Sequence, residues 1–508
     1  MRLSAFAVGL LALMVAPGLV EAQASPAARP PTMRMACGLG GLSDWSTSFP
    51  FVDLAMLSRG WVEIDASKPI DYPHGDPVKG LTFPADADGY PLEIPCQGKL
   101  ATTVFLVGIP REIYPQGKLT LLFDGTGEIH LDWDAGDLSV QGSGKNTKFE
   151  FEPTFTDESS TGVLMTLVRS DKADPVKNVR VIMPGFLETY EKDIWNPKFL
   201  DDLRPFAVLR FMDWCRVNNS QQSDWSQRKT RTTFGQTGYF DGKGAAYELM
   251  IELGNRLDKD IWLCVPHMAD DNYMEQLAAL TAANLKPGLK CYIEWSNETW
   301  NGIFEQSSWA NSHGQHVGNA VRLFRAFDKA FKNDSSRYVK VLGSWTIAQW
   351  LTEHHIALMG DRQGMNPDGV KADAVGIAPY IGHDADGDVD SVLKGMAASI
   401  AGTAEHCRRH REICDKAGLQ LICYEGGPHA LKGDFVEANG DPRIYDIYMD
   451  YLKALAPHVS MFNQYVAVGR WGQYGCWGAK EYVGQPLSEA HKYRALMVYA
   501  NSGPPASD

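Results

Sequence analysis

The chain is short of positive charge. Its 48 Lys and Arg stand against 62 Asp and Glu, a formal net charge of −14. That deficit argues against nucleic acid or an anionic membrane surface as a partner, because both are bound through clustered Lys and Arg. Its 9 cysteines include no Cys-x-x-Cys pair, so no thiol-type zinc site is expected. No metal or organic cofactor is expected either. Beyond the N-terminus no apolar run is long enough to read as a membrane span. The stretch from Cys37 to about Ser170 lacks any convincing amphipathic helix.

The odd cysteine count leaves at least one thiol unpaired. Cys407 with Cys414, or Cys37 with Cys96, are the pairs the spacing allows. Cys264, Cys291 and Cys423 lie in apolar runs and read as buried thiols. At 508 residues and 44% hydrophobic, the chain can build two or three domains with large cores. Its 14 Trp can fill those cores, or wall a cleft for sugars, whose apolar faces pack on flat rings.

Residues 1–24 read as a secretory signal: Arg2, then an apolar run, then small residues around Ala22 and Ala24. The mature chain is therefore expected to be secreted or periplasmic, off the membrane and monomeric. Residues 25–36 are rich in Pro and Ala and read as a linker. Residues 37–172 alternate short apolar strands with Gly, Asp and Pro, the pattern of an antiparallel β-sandwich. No exposed aromatic row stands out there, which favours a structural brace over a sugar-binding module. A Gly-rich loop with Asp44 and Trp45 is placed to reach over a neighbouring cleft.

From residue 176 to 503 strands and helices alternate, the signature of a parallel sheet wrapped by helices. Eight strands are expected at 179–184, 207–214, 260–267, 291–296, 339–345, 374–380, 420–425 and 460–465. Eight such units in about 325 residues fit a (β/α)8 TIM barrel, whose chemistry sits at the C-terminal strand ends.

Two of those ends carry a glutamate. The fourth strand runs out at Asn297-Glu298, the seventh at Tyr424-Glu425-Gly-Gly. Fourth and seventh strands look at one another across the mouth of an eight-stranded barrel. Facing carboxylates are what glycosidic bond hydrolysis needs, one as acid and one as nucleophile or base. Trp295 and Trp300 give Glu298 apolar surroundings suited to a general acid/base. The glycines after Glu425 allow close approach, which suits a nucleophile. Tyr380, at the sixth strand end, is placed to hydrogen-bond Glu425, and Arg210 to keep it ionised. Arg210 can equally be a core ion pair with Asp213. His267 reads evenly as a satisfied histidine or a sugar ligand, and Glu294 as a buried polar residue deeper in the barrel.

Ser296-Asn297-Glu298 after a fourth strand, with Tyr424-Glu425 after a seventh, resembles the clan A retaining glycoside hydrolases. The resemblance covers about residues 176–500 and implies acid/base Glu298 and nucleophile Glu425. It also implies substrate or nucleophile contacts by Arg210, His267, Asn297, Tyr380 and a Trp after the eighth strand. Trp471 and Trp477 both fit that last place. Residues 292–301 are also similar to a stretch in secreted bacterial proteins loosely labelled cellulose-binding. The function expected is cleavage of a β-linked polysaccharide, β-glucan or cellulose, by double displacement. The alternatives are an inverting hydrolase and a non-catalytic polysaccharide-binding protein that keeps a barrel cleft. Asn297-Glu-Thr299 is also an N-glycosylation pattern, and a glycan there would block the cleft.

Overall fold

A computed structural model describes residues 33–73, 80–238 and 241–502. The expected signal segment and most of the linker lie outside the described residues. Among those residues no helix is long and apolar enough to cross a membrane.

The first strand, β1 (Arg34–Gly38), is followed by eight antiparallel strands. These are β2 (Val62–Asp65), β3 (Lys99–Phe105), β4 (Leu119–Asp124), β5 (Gly127–Trp133), β6 (Leu138–Gly142), β7 (Thr147–Phe151), β8 (Val163–Ser170) and β9 (Lys177–Ile182). Then come β10 (Val208–Arg210), β11 (Asp260–Val265), β12 (Cys291–Trp295), β13 (Tyr338–Gly343), β14 (Ala374–Ile377), β15 (Gln420–Cys423) and β16 (Met461–Gln464). One parallel sheet runs in the order β15-β14-β13-β12-β11-β10-β1-β16. Ser460 N–H donates to Leu421 O at 2.9 Å and Tyr465 N–H to Gly426 O at 3.0 Å, which brings the two edges together. The result is an eight-stranded parallel barrel wrapped by helices, the TIM-barrel arrangement.

Seven of the eight expected barrel strands overlap β10 to β16. The expected first strand does not belong to the barrel. Residues 177–182 form β9, antiparallel to β4. The place beside β10 and β16 is taken by β1, whose Ala36 and Cys37 pair with both neighbours. The 25–36 linker therefore ends early, and the barrel begins at Arg34 rather than at 176. The physical reason is that β1 is only five residues long and feeds no helix. The antiparallel insertion separates it from Pro197–Leu203, the first helix, so strand–helix alternation is silent there.

The insertion makes a five-stranded sheet, β2-β3-β8-β5-β6, and a three-stranded one, β7-β4-β9. Leu121 and Phe123 of β4 share one apolar core with Ile129 and Leu131 of β5. The barrel strands read as continuous apolar runs because both faces are covered. In β11 every residue from Asp260 to Val265 is buried. Polar caps set the helix starts: Asp270 accepts from Tyr273 N–H and Asp388 from Ser391 N–H.

All nine cysteines are free thiols. Cys407 and Cys414 lie seven residues apart on the helix Val389–Ala417. That spacing is about 10 Å along the axis, too far for a disulfide. Cys37 is buried in the barrel and Cys96 lies in a turn of the insertion, so neither proposed bridge forms. Burial pushes the Cys37, Cys264 and Cys423 thiols well above their usual range, which keeps them unreactive.

Candidate active site

Arg210 ends β10 with its side chain 1% exposed inside the barrel. Its guanidinium is shared by three partners. Nη1 donates to Glu425 Oε1 at 2.7 Å, and Nη2 to Glu294 Oε2 at 2.9 Å and to Asn297 Oδ1 at 3.0 Å. The rings of Trp262 and Tyr424 lie 5.2 and 5.1 Å from its Cζ. A planar fork suits this task, because one side chain can satisfy two carboxylates and an amide at fixed angles. The alternative pairing of Arg210 with Asp213 is not made. Asp213 instead accepts from Tyr465 OH at 3.2 Å.

Glu425 follows β15 and is 6% exposed. Its second oxygen accepts from Tyr380 OH at 2.8 Å. Burial pushes its carboxyl up to about 8, against the pull of Arg210, with the charge of Glu298 adding to the rise and the Tyr380 hydrogen bond opposing it. Glu298 follows β12 at a φ of 43°, two residues after Ser296 at 60°. Non-glycine residues in that region mark a backbone held by its surroundings. Here the holding groups are Tyr424, whose hydroxyl donates to Glu298 Oε1 at 2.7 Å, and Asn301, whose amide donates to Oε2 at 3.0 Å. The two glutamates thus meet through their neighbours, as opposing strand ends imply.

Glu294 lies four residues earlier, deeper in the barrel as expected, and 1% exposed. Its Oε2 accepts from Arg210, from Trp262 Nε1 at 3.0 Å and from Cys264 Sγ at 3.4 Å. Asn297 is committed to Arg210 and, through Nδ2, to Asn218 at 3.2 Å, rather than to Glu298. His267 is buried with Nδ1 unpartnered, its ring 5.5 Å from Trp309. Trp300 stands 6.2 Å from Tyr424 and packs on Gly343, where an added Cβ would come within 3.0 Å of the indole.

Two adjoining cavities, of about 600 and 470 Å³, open where the loops after β1, β10 and β16 converge. Trp45, Asp213, Tyr465 and Trp477 line both. The Gly-rich loop after β1 therefore does reach over a cleft, because it follows a barrel strand. Asp44 does not join its neighbour at the wall: its buried carboxylate is paired with Arg59 at 2.9 Å. Trp471 lines only the larger cavity, its Nε1 bonded to Gly478 O at 2.9 Å. Trp477 lies 6.0 Å from Tyr465 and 6.1 Å from His429, whose ring meets Tyr380 at 5.2 Å. Of the two tryptophans, Trp477 is the one connected to the glutamates. Neither glutamate lines these cavities; Tyr465, which feels the charge of Glu425, joins them to the pair.

Sequence reasoning missed Tyr424 as a Glu298 ligand, Asn301, Asp213 with Tyr465, and His429. Tyr424 could have been found, because it stands beside Glu425 at the same strand end. The others need the loops folded.

No family model matches the chain, and no curated protein matches it. Among solved structures it is similar to the GH51 arabinofuranosidase of Xanthomonas axonopodis pv. citri, at 13% identity over 62% of this chain and 67% of that one, with a TM-score of 0.40. It is similar to the endo-1,4-beta-xylanase XylE of Penicillium canescens, at 13% identity over 63% and 92%, with a TM-score of 0.39. It is also similar to a Bacteroidetes-affiliated GH5 cellulase, at 11% identity over 62% and 87%, with a TM-score of 0.39. At these TM-scores the likeness carries no argument of its own, and the chemistry rests on the side chains.

Proposed function

We propose that the chain is a secreted retaining glycoside hydrolase that cleaves β-linked polysaccharide, with β-glucan or cellulose as the substrate class. The observation that carries the reading is the pair of carboxylates at opposing strand ends, with a different donor set on each. Glu425 accepts from Arg210 and Tyr380, a cation and a phenol. Glu298 accepts from Tyr424 and Asn301, both neutral. Burial, with the charge of Glu298 adding to it, raises Glu425 to about 8, so that carboxyl gives up its proton before it acts as nucleophile.

Once ionised, Glu425 attacks the anomeric carbon while Glu298, as the acid, protonates the departing glycosidic oxygen. Glu298, now a carboxylate, takes a proton from water, which attacks the same carbon and releases Glu425. Trp477, Trp45, Asp213 and Tyr465 bind the sugar on the glycone side, and Asn297 and His267 border the reacting ring. No metal or organic cofactor enters this scheme. The chain is exported by residues 1–24 and acts as a monomer, and the two antiparallel sheets form a sandwich that braces the barrel.

Glu425→Ala is expected to abolish turnover, and added azide to restore it as the glycosyl azide of opposite anomeric configuration. Full activity in that variant overturns the assignment. Proton NMR of the first-formed anomer separates retention from inversion. Binding of β-glucan, xylan or mannan with no release of reducing ends favours the non-catalytic reading instead.

A further inference from the structure

Large apolar side chains are left in water on two adjacent segments at the barrel mouth, the loop after β12 and the loop after β13 with the first turn of the helix Gln349–Met359 that it leads into. Trp345, Ile347 and Trp350 are 45, 57 and 64% exposed, and Ile303 is 77% exposed. Soluble surfaces seldom keep such a group without a use for it. The loop that presents Trp345 and Ile347, and leads into the helix of Trp350, is firmly built. Along residues 344–348 burial alternates: Ser344, Thr346 and Ala348 face in, Trp345 and Ile347 face out.

The inward residues are bonded into the barrel wall. Ser344 N–H donates to Gly376 O at 2.8 Å. Ser344 Oγ meets Thr352 Oγ1 at 2.6 Å, and Thr352 meets His410 Nδ1 at 2.9 Å. His410 Nε2 then donates to Thr346 O at 2.8 Å, which fixes its tautomer, and Ala378 N–H donates to Thr346 Oγ1 at 2.9 Å. Trp345 and Ile347 therefore stand out because their backbone is pinned, and Trp350 because it is carried on a helix, so a ligand meets them without having to order the segment.

Their position says what that ligand is. The loop follows β13, next in the sheet to β12, which leads to Glu298. Trp300, two residues past Glu298, packs on Gly343, immediately before Ser344. Ile303 lies three residues further along that same loop. Across the mouth, the cavities with Trp45 and Trp477 belong to the loops after β1, β10 and β16. In the order of the sheet β13 is four strands from β1, half the circuit of eight. The rim opposite those cavities, on the Glu298 side of the mouth, is therefore the one that carries Trp345 and Trp350. Residues 344–350 carry no charged side chain, which fits a neutral chain of sugar rings.

We propose that Trp345 and Trp350, with Ile347 and Ile303, form a platform for the leaving-group side of a neutral β-linked polysaccharide. This rests on the hydrolase reading, because Glu298 must protonate the leaving oxygen for its side to be the leaving side.

The test compares wild type with Trp345→Ala/Trp350→Ala. Both are assayed on soluble β-glucan, xylan and mannan, and on an aryl β-glycoside whose leaving group ends at one ring. The ratio of kcat/KM on the polymer to kcat/KM on the aryl glycoside is expected to fall at least tenfold. An unchanged ratio overturns the platform and leaves the hydrolase reading standing. Independently of turnover, Glu425→Ala is run in native gels cast with each polymer, with and without the two tryptophan changes. Retardation that the changes abolish supports the platform even if no polymer is hydrolysed. Equal retardation, or none in any polymer, overturns it. A wild-type dimer that the double variant converts to monomer, seen by light scattering, also overturns it and makes the patch a self-interface. Trp350→Gln, assayed alongside, carries the same expectation if the double variant does not fold.

Discussion

Tyr424 donates its hydroxyl to Glu298 Oε1 at 2.7 Å, although its neighbour along the chain is Glu425. One strand end thus places both its own carboxylate and a ligand for the carboxylate opposite. The tyrosine is 1% exposed, so its hydroxyl has little access to water as an alternative partner. Tyr424→Phe removes one of the two donors that hold Glu298. A hydrogen bond to a charged group contributes about 1.5–3 kcal/mol, so kcat is expected to fall by roughly ten- to a hundredfold. KM for an aryl glycoside should move far less. A variant with wild-type kcat shows that Asn301 alone orients Glu298.

Arg210 is shared as the one cation between Glu294 and Glu425. Arg210→Met leaves both buried carboxylates without their cation. Breaking a buried pair by removing one partner costs about 3–5 kcal/mol, and calorimetry should show a large drop in Tm. Arg210→Lys keeps the charge but loses the fork, so it should recover part of the stability and little activity. Equal activity in Arg210→Lys would show that the charge alone suffices.

The raised affinity of Glu425, about 8, fixes a pH dependence. The folded protein holds a proton there that the unfolded chain releases near 4.3. Between those values the folded state binds more protons, so this group's contribution to stability is fully present below pH 4.3 and is lost as pH rises towards 8. Glu425→Gln should flatten that part of the curve of Tm against pH. Because Glu425 must be ionised to attack, the acidic limb of the activity profile should lie near 8.

Lys492 lies beneath the loop that walls the larger cavity. Its ammonium sits 4.4 Å from the Trp471 ring, donates to Asn439 Oδ1 at 2.9 Å and also donates to Cys476 O. Burial lowers its affinity to about 7. The folded state therefore holds fewer protons than the unfolded chain above that pH, and stability from this group should rise between pH 7 and about 10.4. Lys492→Met should remove that rise, and the loosened Trp471 should raise KM severalfold. No change in KM places the support of the loop elsewhere.

Much of the barrel was legible because its strands are buried on both faces and read as unbroken apolar runs. The segments around 260–265 and 420–423 were placed from that pattern alone. Glu298 and Glu425 were legible because each ends such a run. The strand Arg34–Gly38 was not, since five residues followed by a sheet rather than a helix carry no periodic signal. Asp44 looked like a ligand beside Trp45, yet it is turned to Arg59, a choice made by an arginine 15 residues away.

The sequence by itself determined that strands and helices alternate, and that two acids stand at the ends of the fourth and seventh barrel strands. Local hydrophobic patterning suffices for both, because the period of burial is written into consecutive residues. Only the tertiary structure decided which strand closes the barrel, that Arg210 is shared between Glu294 and Glu425, and that Trp345 and Trp350 stay in water. Those outcomes depend on contacts between residues tens to hundreds of positions apart, and no local pattern encodes which distant partner will satisfy a buried charge.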